Sequence, residues 1–438
     1  MTMKADLLIH SATQLLTCAA PDGPLRGGDQ AAIGLIEGGA VAILDRQITH
    51  VGPTAEVRSA VTARVELDAA GQVVMPGFVD AHTHLVFAGH RADEFEQRIA
   101  GATYQEIMAA GGGIMSTVRA TRRASLRELV AQSRRRLNAM LTHGTTTAEV
   151  KTGYGLSFDS ELKILAAISV LHTEHPISLL PTFLAAHAVP DEFQGRPDDF
   201  IDEVVDEMLP RVAVADALLP PFANIEAGRG QPVAVFVDVF CDVGAFDLDQ
   251  SRRVLERADE LGLALKIHAD EFESLGGAAL AAELGAVSAD HLAATPREEV
   301  EQMTEAGVVG VLLPGTTFGL GSKHYADARM MIETGLPVAL GTDINPGTCW
   351  CVSMPLILAL ATRYMHLSPA EAVVAATINA AYASGVGEEV GSLEPGKAGD
   401  VVILDVPDYR HLAYRFGENL VATVIKGGRI HEIIGELA

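Results

Sequence analysis

The chain has 438 residues, 48% hydrophobic and 20% charged, which is enough to bury a large core and excludes disorder or a fibrous repeat as an overall description. Asp and Glu number 57 against 32 Lys and Arg, and the formal charge of -25 repels phosphate backbones and anionic lipid surfaces, so neither nucleic acid nor membrane is expected as a partner. Cysteines at 18, 241, 349 and 351 are too few and too scattered for a disulfide framework, and the first ten residues lack a signal-peptide pattern; both point to a soluble protein of the reducing cytoplasm.

From the N-terminus, short strands are expected at Leu7 to Ile9, Ala32 to Ile36, Ala40 to Leu44, Ile48 to Val51 and Val65 to Leu67, with hairpin turns at Gly38-Gly39 and Asp45-Arg46. Eight apolar, β-rich runs follow: Phe78 to Leu85, Thr145 to Val150, Ser178 to Phe183, Val233 to Phe240, Ala264 to His268, Ala286 to Ala289, Val308 to Leu313 and Val338 to Gly341. Segments between them, such as Leu126 to Leu141, Ser160 to His172, Asp249 to Leu261, Leu275 to Leu284 and Pro296 to Ala306, have helical period and length. A strand followed by a helical crossover requires a parallel sheet, and eight such units predict a closed (β/α)8 TIM-type barrel over 71–387, with an acidic insertion at 190–230 after the third strand. Strand texture returns at Val401 to Leu404, Val421 to Ile425 and Ile430. The two ends, each too small to bury a core alone, predict one smaller discontinuous β-sandwich domain from 1–70 and 388–438.

In such a barrel the chemistry sits at the C-terminal ends of the strands. His82 and His84, at i and i+2 on the first run, face the same way. A chance His-x-His is expected about half the time in a chain with this many histidines, so the pair gains weight only from its place. The same placement selects His268, His291 and Asp343, each at an expected strand end. Three histidines and a carboxylate suit a divalent ion that keeps a position open for water, and such an ion lowers that water's pKa to about 7. A group that takes and returns protons is also needed, and Asp270, Glu271 and Glu273 stand in the loop after His268; spacing alone does not choose among them.

The run Pro76-Gly77-Phe78-Val79-Asp80-Ala81-His82-Thr83-His84-Leu85, with His268, His291, Asp343 and the stretch Gly391 to Asp400, resembles the amidohydrolase superfamily. Longer blocks around Phe87 to Arg91, Glu149 to Leu156, Thr182 to Pro190, His268 to Phe272 and Asp343 to Thr348 resemble the members of that superfamily that act in histidine degradation. This likeness implies hydrolysis of 4-imidazolone-5-propanoate to N-formimidoyl-L-glutamate by an enzyme with one divalent metal ion, zinc or iron, working as a homodimer. It implies His82, His84, His268 and Asp343 as ligands, and it puts Glu271 ahead of its neighbours as general acid/base. Glu271, His291 and Asp343 would form the catalytic group, with His291 helping to move protons and polarise the ring carbonyl. Arg91, Tyr154, His187, Glu271, Asn345, Gly347 and Thr348 would hold the substrate. The physics agrees for Arg91, because a guanidinium grips a carboxylate at two points where a lysine cannot.

Two-metal relatives use a bridging lysine on the fourth strand, where this chain has none, so one ion is expected; Lys266, which shares a strand face with His268, reads as a barrel-filling lysine with a paired acid. Cys349-Trp350-Cys351 stands where small polar residues are expected and could reshape that side of the pocket. The alternatives are a nucleobase deaminase or another cyclic-amide hydrolase of the same superfamily, for which Arg91 would have no evident task, and a non-catalytic barrel scaffold, which the filled ligand positions argue against.

Overall fold

The chain opens on a 14-residue strand, β1 (Met3–Leu16), whose pairing register shifts between Ile9 and Ala12 around Ser11, at φ +59°. A bulge of this kind bends a strand and re-aims its side chains. The bend lets β1 serve several ladders. It runs antiparallel to β2 (Leu35–Leu44), while its other edge pairs in parallel with β4 (Val61–Asp68) through the first half and with β5 (Val73–Pro76) through the second. β3 (Gln47–Pro53) returns beside β2 through Asp45 and Arg46, which both adopt the positive φ that a tight hairpin turn requires. The strand expected from Ala32 begins only at Leu35, because Gly27–Ala31 forms a 3-10 turn. The structure is a computed structural model describing residues 2–101, 112–214 and 236–432.

Past Gly77 lies a second sheet of eight parallel strands in chain order: β6 (Phe78–Asp80), β7 (Thr145–Lys151), β8 (Ser178–Ala186), β9 (Phe236–Cys241), β10 (Ala264–Ala269), β11 (Ser288–His291), β12 (Val309–Leu312) and β13 (Val338–Leu340). Every residue of β7 is buried, as helices covering one face and a filled interior on the other demand. Helices at Leu126–Thr142, Phe158–Glu174, Leu248–Glu260, Gly277–Leu284 and Arg297–Ala306 make crossovers between strands. Capping boxes start two of them: Ser125 with Glu128, and Asp247 with Gln250, each satisfying backbone N–H groups that a helix start leaves open.

The sheet closes just beyond β6 and β13. Thr83 bridges Ile344 in parallel, the His84 amide donates to the Ile344 carbonyl (3.0 Å), and the Asp343 amide donates to the His82 carbonyl (2.9 Å). This seam explains why β6 ends at Asp80 rather than at the expected Leu85: residues 82–84 turn their backbone toward the far end of the chain. Of the expected insertion, the described part forms short helical turns, including Pro197–Glu203 and Leu209–Ala213, and residues 215–230 lie outside the described residues.

β14 (Val401–Leu404) returns antiparallel beside β5, followed by β15 (Val421–Lys426) and β16 (Arg429–Glu432). Both chain ends thus build the first sheet, in the order β16-β15-β14-β5-β1-β2-β3 with β4 beside β1. One core of this sheet joins Leu7, Ile9, Val41 and Val74 to Val401 and Ile425, and another packs Leu8, Ala40 and Ala42 against Val57 of the helix Thr54–Ala60. Among the described residues no helix is long and apolar enough to cross a membrane.

Candidate active site

The seam brings His82, His84 and Asp343 to one spot at the mouth of the barrel, and the end of β10 adds His268. Nε2 of His84 lies 3.3 Å from Nε2 of both His82 and His268, and Oδ1 of Asp343 lies 3.6 Å from Nε2 of His82 and of His84. Donor atoms about 2.0 to 2.2 Å from one ion in a tetrahedral arrangement stand about 3.3 to 3.6 Å apart. Among the described residues Oδ1 of Asp343 is buried with no hydrogen-bond partner, while Oδ2 accepts from the Thr316 hydroxyl. His82, His84 and Asp343 are close enough to share one divalent cation, and His268 joins them through His84; His268 also groups with His82 and His291, and with His84 and His187. Burial holds His82, His84 and His268 well below their ordinary pKa, in the neutral form that binds metal. Burial also pushes Asp343 up to about 7, an effect that a neighbouring cation opposes.

Outer groups fix the rings. His82 Nδ1 lies 2.7 Å from Asp290 Oδ2, and His268 Nδ1 lies 3.0 Å from Asp238 Oδ2, off the line of the ring N–H. His84 instead stacks on His187, with centroids 4.7 Å apart and planes within 10°. His291 reaches the site through its backbone: neighbouring strand residues point opposite ways, and a φ of +78° turns His291 back beside His82 and His268. Asp270 and Asp343 also have positive φ (+57° and +49°), so strained backbone gathers where the functional side chains leave their strands.

Glu271 lies with Oε2 3.7 Å from His291 Nδ1. Burial, and then repulsion from Asp343 and Asp242, pushes its carboxyl well above the ordinary range. Its rivals are placed differently: Asp270 accepts from Thr295 Oγ1 at 2.7 Å, and Glu273 is exposed. Burial lowers His291 and His187 to about 4, so both rings are neutral near pH 7.

Arg91 packs against Gly347 so closely that a Cβ there would fall 1.2 Å from a guanidinium nitrogen, so a side chain at 347 would require the guanidinium to move. The arginine lies 3.9 Å from Glu94, and its Nε is buried with no partner among the described residues. Tyr154 is buried among His84, His187 and Phe87. His187 Nδ1 is 3.0 Å from the Gly153 carbonyl. The amide of Asn345 is fully engaged in its own loop: it accepts from the Gly347 and Thr348 amides and donates to the Asp343 carbonyl and Thr348 Oγ1. In this geometry Asn345 and Thr348 shape the loop that carries Asp343. Cys349 is buried with its thiol toward the Thr342 carbonyl, and Trp350 stands exposed at the edge of Phe87.

One expectation is corrected. Lys266 makes no ion pair among the described residues; its ammonium meets Ser288 Oγ (3.0 Å) and the Ala383 carbonyl (2.8 Å), while the interior carboxylates gather around Lys151. The sequence reading also missed Asp80, which accepts from both the amide and the hydroxyl of Thr342, and Asp242, which accepts from the Phe272 and Glu273 amides. Lys151, Asp238 and Asp290 were passed over as well. The alternation Glu149-x-Lys151, two opposite charges on one face of a strand, was the available signal.

The sequence model of the Amidohydrolase family matches residues 223–431. The chain is 53% identical over 425 residues to the imidazolonepropionase of Chloroflexus aggregans, spanning 97% of this chain and 98% of that one. It is 51% identical over 426 residues to the imidazolonepropionase of Herpetosiphon aurantiacus, spanning 97% of each. A solved adenosine deaminase from Xanthomonas campestris with bound zinc aligns at a TM-score of 0.67 and 20% identity, over 100% of this chain and 95% of that one, a likeness of fold. With relatives this similar over nearly their whole length, the chain belongs to the imidazolonepropionase family of the amidohydrolases, hydrolases that act on C–N bonds.

Proposed function

We propose that the chain opens the ring of 4-imidazolone-5-propanoate by hydrolysing its cyclic amide C–N bond, yielding N-formimidoyl-L-glutamate, with one zinc or iron ion held by His82, His84, His268 and Asp343. The observation that carries the reading is the cluster of His82, His84 and Asp343 within reach of one ion, with His268 Nε2 3.3 Å from His84 Nε2 and His291 3.7 Å from Glu271. When bound, the ion supplies Lewis acidity, the property by which a divalent cation makes water nucleophilic near neutral pH.

The residues divide the remaining work. Water adds to the ring carbonyl carbon; Glu271 accepts a proton as the C–O bond forms and returns it to the ring nitrogen as the C–N bond breaks. A base must begin ionised; burial and then repulsion from Asp343 and Asp242 raise Glu271, and a cation beside Asp343 opposes both. Neutral His291 has one N–H to aim at the carbonyl oxygen, where negative charge develops. Arg91 grips the propanoate carboxylate, and Tyr154 and His187 wall the ring. Four cysteines, none of them bridged, support the reducing cytoplasm as the compartment.

The test is metal analysis of gently purified protein, together with turnover of imidazolone propanoate against guanine, cytosine and hydantoin. Near one equivalent of metal and selective opening of the imidazolone are expected. Preferential deamination of a nucleobase would overturn the substrate, and two tightly held equivalents both needed for activity would overturn the single ion.

A further inference from the structure

Beneath the ligand histidines, Lys151 at the end of β7 is completely buried. Its ammonium has three N–H donors and meets three carboxylates: Asp238 Oδ2 at 2.8 Å, Glu149 Oε1 at 2.9 Å and Asp290 Oδ2 at 3.2 Å. Two of these oxygens are the ones that face ligand rings. Asp290 Oδ2 also lies 2.7 Å from His82 Nδ1, and Asp238 Oδ2 also lies 3.0 Å from His268 Nδ1. The other oxygens are anchored separately, Asp290 Oδ1 by Ser288 Oγ (2.7 Å) and Asp238 Oδ1 by the His268 amide (3.1 Å). The three carboxylates and the lysine stand on β7, β9 and β11, so one cation draws three strands together. Burial works against its charge, but the carboxylates together outweigh it and hold Lys151 protonated.

We propose that Lys151 is a positioning residue for the metal centre: its ammonium fixes the Asp290 and Asp238 oxygens that orient His82 and His268, so that one buried cation sets two ligand rings at once. The proposal rests on the ligand assignment made above. Positioning and charge make opposite demands, which allows a decision. As a bare positive charge near the site, Lys151 repels a dication, so removing it should tighten metal binding. As the anchor of the two carboxylates, its removal should loosen binding, and loss of an outer partner of a ligand typically costs about 10- to 100-fold in metal affinity.

The experiment measures zinc affinity by chelator competition, and the visible absorption of the cobalt-substituted protein, for the wild type and Lys151→Met. Affinity weaker by 10-fold or more, with an altered cobalt spectrum, is expected. Unchanged or tighter binding with an unchanged spectrum overturns the proposal, while failure of the wild type to hold metal would overturn the ligand assignment instead. Lys151→Met leaves three buried carboxylates without their cation, which can prevent folding. The second comparison is therefore Asp238→Asn against Asp238→Asn with Lys151→Gln, which removes one charge of each sign. The added lysine change should weaken zinc binding further by freeing Asp290, and equal affinities in the two proteins overturn the proposal.

Discussion

Glu271 and Arg91 serve opposite ends of the substrate in the proposed reaction, and their variants should fail in different ways. Glu271→Gln keeps the shape of the side chain but cannot take a proton, so turnover should fall by about 10² to 10⁴ while metal content stays at the wild-type level. If metal analysis and kinetics show normal metal with turnover within a few-fold of wild type, the proton carrier is another group, with His291 the nearest. Arg91→Ala removes a charge-assisted contact worth about 1.5 to 3 kcal/mol, so KM should rise about 10- to 150-fold, with Arg91→Lys recovering only part. An imidazolone without the carboxylate should be barely affected; an equal loss on both compounds would make Arg91 a structural partner of Gly347 instead. At this scale the sequence was readable where the chemistry obeys strand geometry, as in His82 and His84 at i and i+2. It was not readable for Asn345, whose engagement with the amides of its own loop depends on a local fold that residue type does not reveal.

The loop after β10 carries Glu271, and Asp242 of the neighbouring strand end holds it by accepting from the Phe272 and Glu273 amides at 2.9 and 3.2 Å. Asp242→Ala leaves those amides without their acceptor, at a cost of about 1 to 3 kcal/mol if water does not replace it. The expected result is a lower thermal midpoint and a kcat reduced by about 10-fold, with metal content unchanged, as measured by thermal melts and steady-state kinetics. A normal kcat would show that Glu271 is positioned without its loop neighbours. The eight barrel strands were legible as short β-rich runs between amphipathic helices, because strands buried on both faces are rich in apolar residues. Their ends were less legible. β6 stops at Asp80 because residues 82–84 bond to 343 and 344, and no local window contains both partners.

For the whole molecule, β5 and β14 matter most, since their pairing unites two ends of the chain in one sheet just before Gly77 enters the barrel. That union was legible only as two fragments of similar texture; the order of strands was not, because the bulge at Ser11 that lets β1 serve several ladders has no signature in residue type. Chelation should abolish activity, zinc or iron should restore it, and calorimetry should find the loaded protein more stable, by about 4 kcal/mol when free ion exceeds its Kd 1,000-fold. An unchanged melting profile would mean that the ion contributes nothing to the fold. The seam gives this linkage a kinetic form. Asp80 and Thr342, bonded across it, stand 262 residues apart, so the barrel shuts between its first and last strands with His82, His84 and Asp343 at the join. Contacts between such distant segments carry a large loop-closure cost and are expected to form late. An ion seated there acts as a clasp on a finished ring: it should slow unfolding while leaving the refolding rate nearly unchanged, and stopped-flow measurements with and without metal would expose the opposite pattern if the join forms early.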